Sequence, residues 1–200
     1  MRLGVALVLG VMATVTLAPS VAAGMAECTV VGTSGSDVLR GTGGPDVICG
    51  RGGDDAIFAG GRDDVLRGGP GGDVLSPSLG DDIVIGGRAH DLVAYDENAS
   101  IVVNLAKRIA RGAGLDRLRS VEGAVGGPLP DRLLGNAENN VLRDHGGNDI
   151  LRGRGGDDGL RGGKNADRLF GGPGNDLLNG QGGRDRCRQG AGHGERISCP

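Results

Sequence analysis

Aromatic residues are nearly missing from this 200-residue chain, which has no Trp, one Tyr and two Phe. That is too little bulk to fill a wide globular core. Long hydrophobic runs are missing after residue 23, so no later segment has the run of about 20 apolar residues that a membrane-spanning helix needs. The three histidines, His90, His145 and His193, are scattered and C-x-x-C is absent, which excludes a clustered zinc site. H-E-x-x-H, G-x-S-x-G, phosphate-loop and EF-hand motifs are absent too, so the chain is read as a non-enzyme. A formal charge of −3 gives no net attraction to nucleic acid, and no membrane insertion is expected.

What the chain does have is glycine, 43 residues of it, without the period of three that collagen requires. Before the glycines begin, Arg2, the mostly apolar stretch Leu3 to Leu17 and the small residues Val21-Ala22-Ala23 form a signal-peptide pattern over residues 1–23. Cleavage after Ala23 would export the mature chain. The expected localisation is therefore secreted and extracellular, where disulfides persist.

The glycines have a period of nine. Asp37, Asp46, Asp55, Asp64, Asp73, Asp82 and Asp91 stand nine residues apart, and a second register runs Asp131, Asn140, Asp149, Asp158, Asp167, Asp176 and Asp185. Two residues after each comes an apolar side chain, from Leu39, Ile48 and Ile57 to Leu160, Leu169, Leu178 and Cys187. Each unit is thus a six-residue Gly-rich loop ending in Asp, followed by a three-residue strand with one apolar side chain at its centre. One unit cannot bury that side chain alone. Stacked copies can, by forming a continuous interior column.

Units such as Gly68-Gly69-Pro70-Gly71-Gly72-Asp73-Val74-Leu75 and Gly171-Gly172-Pro173-Gly174-Asn175-Asp176-Leu177-Leu178 resemble the RTX, or haemolysin-type calcium-binding, repeat G-G-x-G-x-D-x-U-x. The resemblance implies an all-β fold, a parallel β-roll (β-solenoid) in which two nonapeptides make one turn. It divides the mature chain into a repeat block at 24–94, a non-repeat spacer at 95–125 and a second block at 126–200.

The same stacking makes a metal necessary. Strands one turn apart sit about 4.8 Å from each other. Asp37, Asp55, Asp73 and Asp91 therefore line one edge, and Asp46, Asp64 and Asp82 the other. Carboxylates at that spacing repel by roughly 1 kcal/mol in water, and about 3–4 kcal/mol at an effective dielectric near 20. Ca²⁺ relieves this with six to eight oxygen ligands from carboxylates and carbonyls, whereas Mg²⁺ demands tighter octahedral geometry. The candidate calcium ligands are Asp37, Asp46, Asp55, Asp64, Asp73, Asp82, Asp91, Asp131, Asp149, Asp158, Asp167, Asp176 and Asp185. The favoured pairs are Asp37–Asp55, Asp55–Asp73, Asp149–Asp167 and Asp158–Asp176. Several loops depart from the pattern: Arg62, Ala89, Leu129 and Asn165 replace the fourth-position glycine, and Glu138 and Asn140 weaken their unit.

In the spacer, Ile101 to Leu105 reads as one strand and Leu115 to Val125 as another, with V-N-L and D-x-L-x-x-V-E-G resembling the interruptions of RTX arrays. Extra strands that continue the solenoid are expected, a flexible linker being the alternative. Cys28, Cys49, Cys187 and Cys199 allow three pairings, of which local pairs would staple each end. The residue after each Asp should point outward, giving an apolar stripe in the first block and Arg132, Gly159, Arg168 and Arg186 in the second, while Arg40, Arg67, Arg143, Arg152 and Arg161 end their strands as a solvated face. The expected function is calcium binding with calcium-dependent folding of a secreted structural or interaction module. The alternative is a secretion, targeting or adhesion domain related to RTX toxins and exoenzymes. No protein or cell-surface partner can be named from the sequence.

Overall fold

Three-residue strands are too short to stand alone, so this chain must gain its order from the turns above and below. The computed structural model describes residues 27–199, and the segment read as a signal peptide lies outside the described residues. Within them the chain winds into a β-roll of two sheets, one of eleven strands and one of nine. Successive repeat strands alternate between the sheets, and each pairs in parallel with the strand 18 residues on, as in Ile48↔Leu66↔Val84 and Ile57↔Leu75↔Val93. The all-β parallel roll implied by the repeats is the fold observed.

The core is the column of central strand residues. Ile48, Leu66 and Val84 from one sheet, and Ile57, Leu75 and Val93 from the other, have no exposed surface. In the second block Leu133, Leu151 and Leu169 oppose Leu142, Leu160 and Leu178 in the same way, none more than 2 % exposed. The flanking strand residues point outward, and Val38 is 69 % exposed. The narrow interior needs no aromatic bulk except at Tyr95, which is buried under the spacer.

The spacer continues the roll. Val102–Asn104, Ile109–Arg111 and Leu115–Arg119 enter the eleven-stranded sheet, and Gly123–Val125 enters the other between Leu92–Ala94 and Val141–Arg143. Four strands thus occur where the sequence suggested two. Ile109–Arg111 was not legible because it runs antiparallel to both of its neighbours. It forms because the Asn104 side chain caps a 3-10 turn, Leu105–Lys107, after which Arg108 takes φ 57° and reverses the chain. Ser120, at φ 50°, makes the corner that splits Leu115 to Val125 between the two sheets.

Disulfides Cys28–Cys49 and Cys187–Cys199 close the two ends, where a terminal turn has only one neighbour. In ten of the loops, though not at Gly35, Gly44, Leu129 or Glu138, the fourth position takes positive φ. Gly71 and Gly174 lie there at φ 133° and 137°, and Arg62, Ala89 and Asn165 are held there at 81°, 89° and 78°. Leu129 is not left-handed, so its loop takes a different path.

Inside and outside positions should respond differently to truncation. Leu142→Ala should cost about 2–5 kcal/mol of stability, whereas Val38→Ala should stay within about 0.5 kcal/mol. Denaturant unfolding of the calcium-loaded protein measures both, and equal effects would contradict the single-column core.

Candidate metal centres

The loops place the aspartates in two ladders, one along each edge. In the first block, the backbone N–H of Asp37 donates to Asp55 Oδ1 at 2.8 Å, Asp55 to Asp73 at 2.9 Å and Asp73 to Asp91 at 2.9 Å. On the other edge Asp46, Asp64 and Asp82 are linked the same way. In the second block the links run Asp131 to Asp149 to Asp167 to Asp185, and Asp158 to Asp176. Every ladder carboxylate except Asp37 and Asp46 therefore gives one oxygen to the amide of the turn before it.

The second oxygen is the informative one. Oδ2 of Asp55, Asp64, Asp73, Asp82, Asp91, Asp149, Asp158, Asp167, Asp176 and Asp185 is buried without a hydrogen-bond partner. A buried carboxylate oxygen left bare costs several kcal/mol unless something pairs with it. Seven of them, on Asp55, Asp73, Asp91, Asp158, Asp167, Asp176 and Asp185, face the first glycine of their loop, whereas the first position is Ala59 for Asp64, Pro77 for Asp82 and Asp144 for Asp149. A Cβ on Gly50 would collide with Asp55 Oδ2 and with the Gly68 carbonyl, and one on Gly68 with Asp73 Oδ2 and the Gly86 carbonyl. Carboxylate and carbonyl oxygens thus crowd one small space kept free of side chains. No three acidic, histidine or cysteine side chains converge on one ion position among the described residues. The donor set is instead carboxylates from stacked loops plus backbone carbonyls, all hard oxygen, which fits Ca²⁺ and does not fit a thiolate or imidazole metal.

Three predicted ligands are placed differently. Asp37 Oδ2 accepts from the amide and hydroxyl of Thr33, and Asp46 Oδ2 from those of Thr42. Asp131 Oδ2 accepts from the Gly127 amide at 2.8 Å. These carboxylates are served by their own loops. Asn140 occupies a ladder position with its amide satisfied, accepting from the Asn136 amide and donating to the Glu122 carbonyl.

Asp116, Glu122 and Asp144 are the acids that sequence reasoning missed. Asp116 Oδ1 accepts from the Asp82 amide and Glu122 Oε2 from the Asp91 amide, so the spacer carries both ladders onward. The signal was present: Asp116-Arg117-Leu118 and Glu122-Gly123-Ala124 keep the acid-x-apolar spacing of the repeats. The Tyr95 hydroxyl donates to Asp116 Oδ2, which leaves Asp116 without a bare oxygen. Asp144 replaces a first-position glycine. Its buried, unpaired Oδ2 sits where a Gly126 Cβ would lie, crowding Asp131.

A family model for the RTX calcium-binding nonapeptide repeat matches residues 31–61, 58–93, 125–160, 153–187 and 161–194. The chain belongs to the RTX calcium-binding repeat family. No curated protein matches it as a relative. Calcium binding is thus the property of the RTX repeats, and their loops supply the oxygen cradle it requires.

Electrostatics shows what the RTX ladders cost without a cation. Burial pushes Asp82, Asp91 and Asp167 up to about 7 and Asp158 up to about 6, with carboxylates one turn away adding to the effect. Burial, then Asp149 and Asp131, push Asp144 up to about 9. Asp46 goes the other way, held down by hydrogen bonds from Thr42.

Because these folded-state values lie above the unfolded value near 3.9, the metal-free roll binds more protons than the unfolded chain. The stability contributed by these groups is fully present below about pH 4 and is lost as pH rises through about 6–7. In chelator, lowering the pH from 7.5 to 5 should therefore increase β signal in circular dichroism. A signal flat across that range would contradict the burial of these carboxylates. Asp144→Gly should raise the melting temperature of the calcium-free protein at pH 5 by about 2 °C or more, since about 1 kcal/mol moves it 2–4 °C at this size. An unchanged or lower value by calorimetry would show that Asp144 imposes no strain.

Proposed function

We propose that this chain is a secreted calcium-binding module whose roll forms as calcium binds. The row of buried Oδ2 atoms without partners carries this reading, because it repeats at ten aspartates on both edges. Asp55 with Asp73, Asp73 with Asp91, Asp64 with Asp82, Asp149 with Asp167, Asp158 with Asp176, and Asp167 with Asp185 would hold the ions, together with loop carbonyls. Bound calcium supplies positive charge to paired carboxylates and completes their coordination. Asp37, Asp46 and Asp131 would contribute less, because Thr33, Thr42 and the Gly127 amide already serve them.

The protein's own groups do the rest. From Asp55 onward each ladder Asp Oδ1 fixes its side chain to the amide of the turn before, so one filled loop orders the next. The small first-position glycines keep the cradle clear. Secretion is supported by the signal-like segment at 1–23 and by two disulfides, which persist in oxidising compartments. Extracellular calcium modules bind in the range of about 10⁻⁴–10⁻³ M, which suits that setting.

In chelator at pH 7.5 the chain should be largely disordered, and millimolar Ca²⁺ should restore β structure cooperatively while equal Mg²⁺ should not. Far-UV circular dichroism during the two titrations measures this. Equal β content in chelator and in calcium would sink the coupling. Asp73→Asn, which sits in two stacked pairs, should raise the calcium midpoint about threefold or more, whereas Asp37→Asn should move it less.

A further inference from the structure

The two halves of the roll present different outer surfaces. In residues 126–199 all eleven Lys and Arg side chains are exposed, while seven of the ten acids are buried in the ladders. Only Glu138, Asp157 and Glu195 remain outside to balance them. The near-neutral net charge of the chain therefore conceals a basic exterior on the C-terminal half.

On the eleven-stranded sheet these cations form rows. The register Arg132↔Ile150↔Arg168↔Arg186 lies beside Leu134↔Arg152↔Phe170↔Arg188. Neighbouring strands are about 4.8 Å apart, so Arg168 and Arg186 are adjacent, and Arg152 and Arg188 lie about 9.6 Å apart. Like charges side by side on a sheet are destabilising. The fold does not demand them, because the same outward position in the first block holds Val47, Val65 and Ile83. No carboxylate pairs with Arg132, Arg168, Arg186 or Arg188 among the described residues, and Arg152 stacks on the Phe170 ring at 5.0 Å.

We propose that this strip binds a linear acidic polysaccharide along the axis of the roll. Its guanidinium groups would pair with carboxylate or sulfate groups of the polymer. The strip is two side chains wide, with Leu134, Ile150 and Phe170 set between the charges as apolar rests for sugar rings. Single-stranded nucleic acid is held by stacking on several aromatic side chains, and interfacial membrane binding uses Trp, Phe and Leu buried in the headgroups. This chain has no Trp, and only one aromatic ring lies in the strip.

Binding of polygalacturonate and of dextran sulfate to the calcium-loaded full chain at about 150 mM salt tests the proposal, the two polymers separating carboxylate from sulfate recognition. Either polymer should bind, and Arg168→Gln with Arg186→Gln should weaken it about tenfold or more. Arg143→Gln with Arg161→Gln, which removes equal charge from the other sheet, should weaken it less than about threefold. Calcium-induced circular dichroism of every variant should match the parent chain. No binding of either polymer, equal weakening by the two double variants, or equal binding of oligo-dT or phosphatidylserine vesicles would overturn the proposal. A chain that binds the polymer yet folds without calcium would uphold this site and sink the calcium-coupled folding alone.

Discussion

Carboxylates stacked one turn apart, with one oxygen tied to backbone and the other bare, set the terms for the whole roll. The strand spacing of about 4.8 Å is fixed by backbone hydrogen bonding and cannot widen to relieve repulsion. The Asp side chain cannot swing away either, because its Oδ1 serves the amide above it, as Asp73 does for Asp55. Repulsion and desolvation are therefore built into the same geometry that forms the sheets. A polyvalent cation between the loops would satisfy the bare oxygens without altering that geometry.

The rest of the structure follows from keeping that interval narrow. Short strands with one interior side chain give a thin core, which is why aliphatic residues suffice and aromatic ones are nearly absent. Most first positions are glycine for space, since a Cβ at Gly153 or Gly171 would strike the carboxylate of Asp158 or Asp176, although Ala59 and Pro77 stand there in two loops. Asp144 also stands at a first position, where burial and the carboxylates of Asp149 and Asp131 push its carboxyl up. The disulfides staple the first and last turns of the described residues.

The two blocks share one solenoid but divide their surfaces. In the first, the outward strand positions are largely apolar. In the second, arginines occupy seven of the fourteen equivalent positions while most of the acids stay inside. The interior repeats because every turn must stack on the next, and the exterior is free to differ because nothing in the fold constrains it.

The period of nine and the D-x-U triplet carried the resemblance to the RTX repeat, and that resemblance implied the all-β roll, its two edges and the aspartates that line them. Such features are legible because each unit repeats one local solution, so register in sequence becomes register in space. The sequence alone did not determine which carboxylate oxygens are bare. That depends on neighbours 18 residues away and on local substitutes such as Thr33 for Asp37 and Gly127 for Asp131. It also left open the cysteine pairing and the antiparallel strand Ile109–Arg111, which is stabilised only by the strands on either side of it. Asp116 and Glu122 were hidden by spacings of 34 and 31 residues from their partners, where the winding of the spacer replaces the repeat. Tertiary structure decided these points because each is a contact between turns, and a contact between turns is encoded locally only where the period is unbroken.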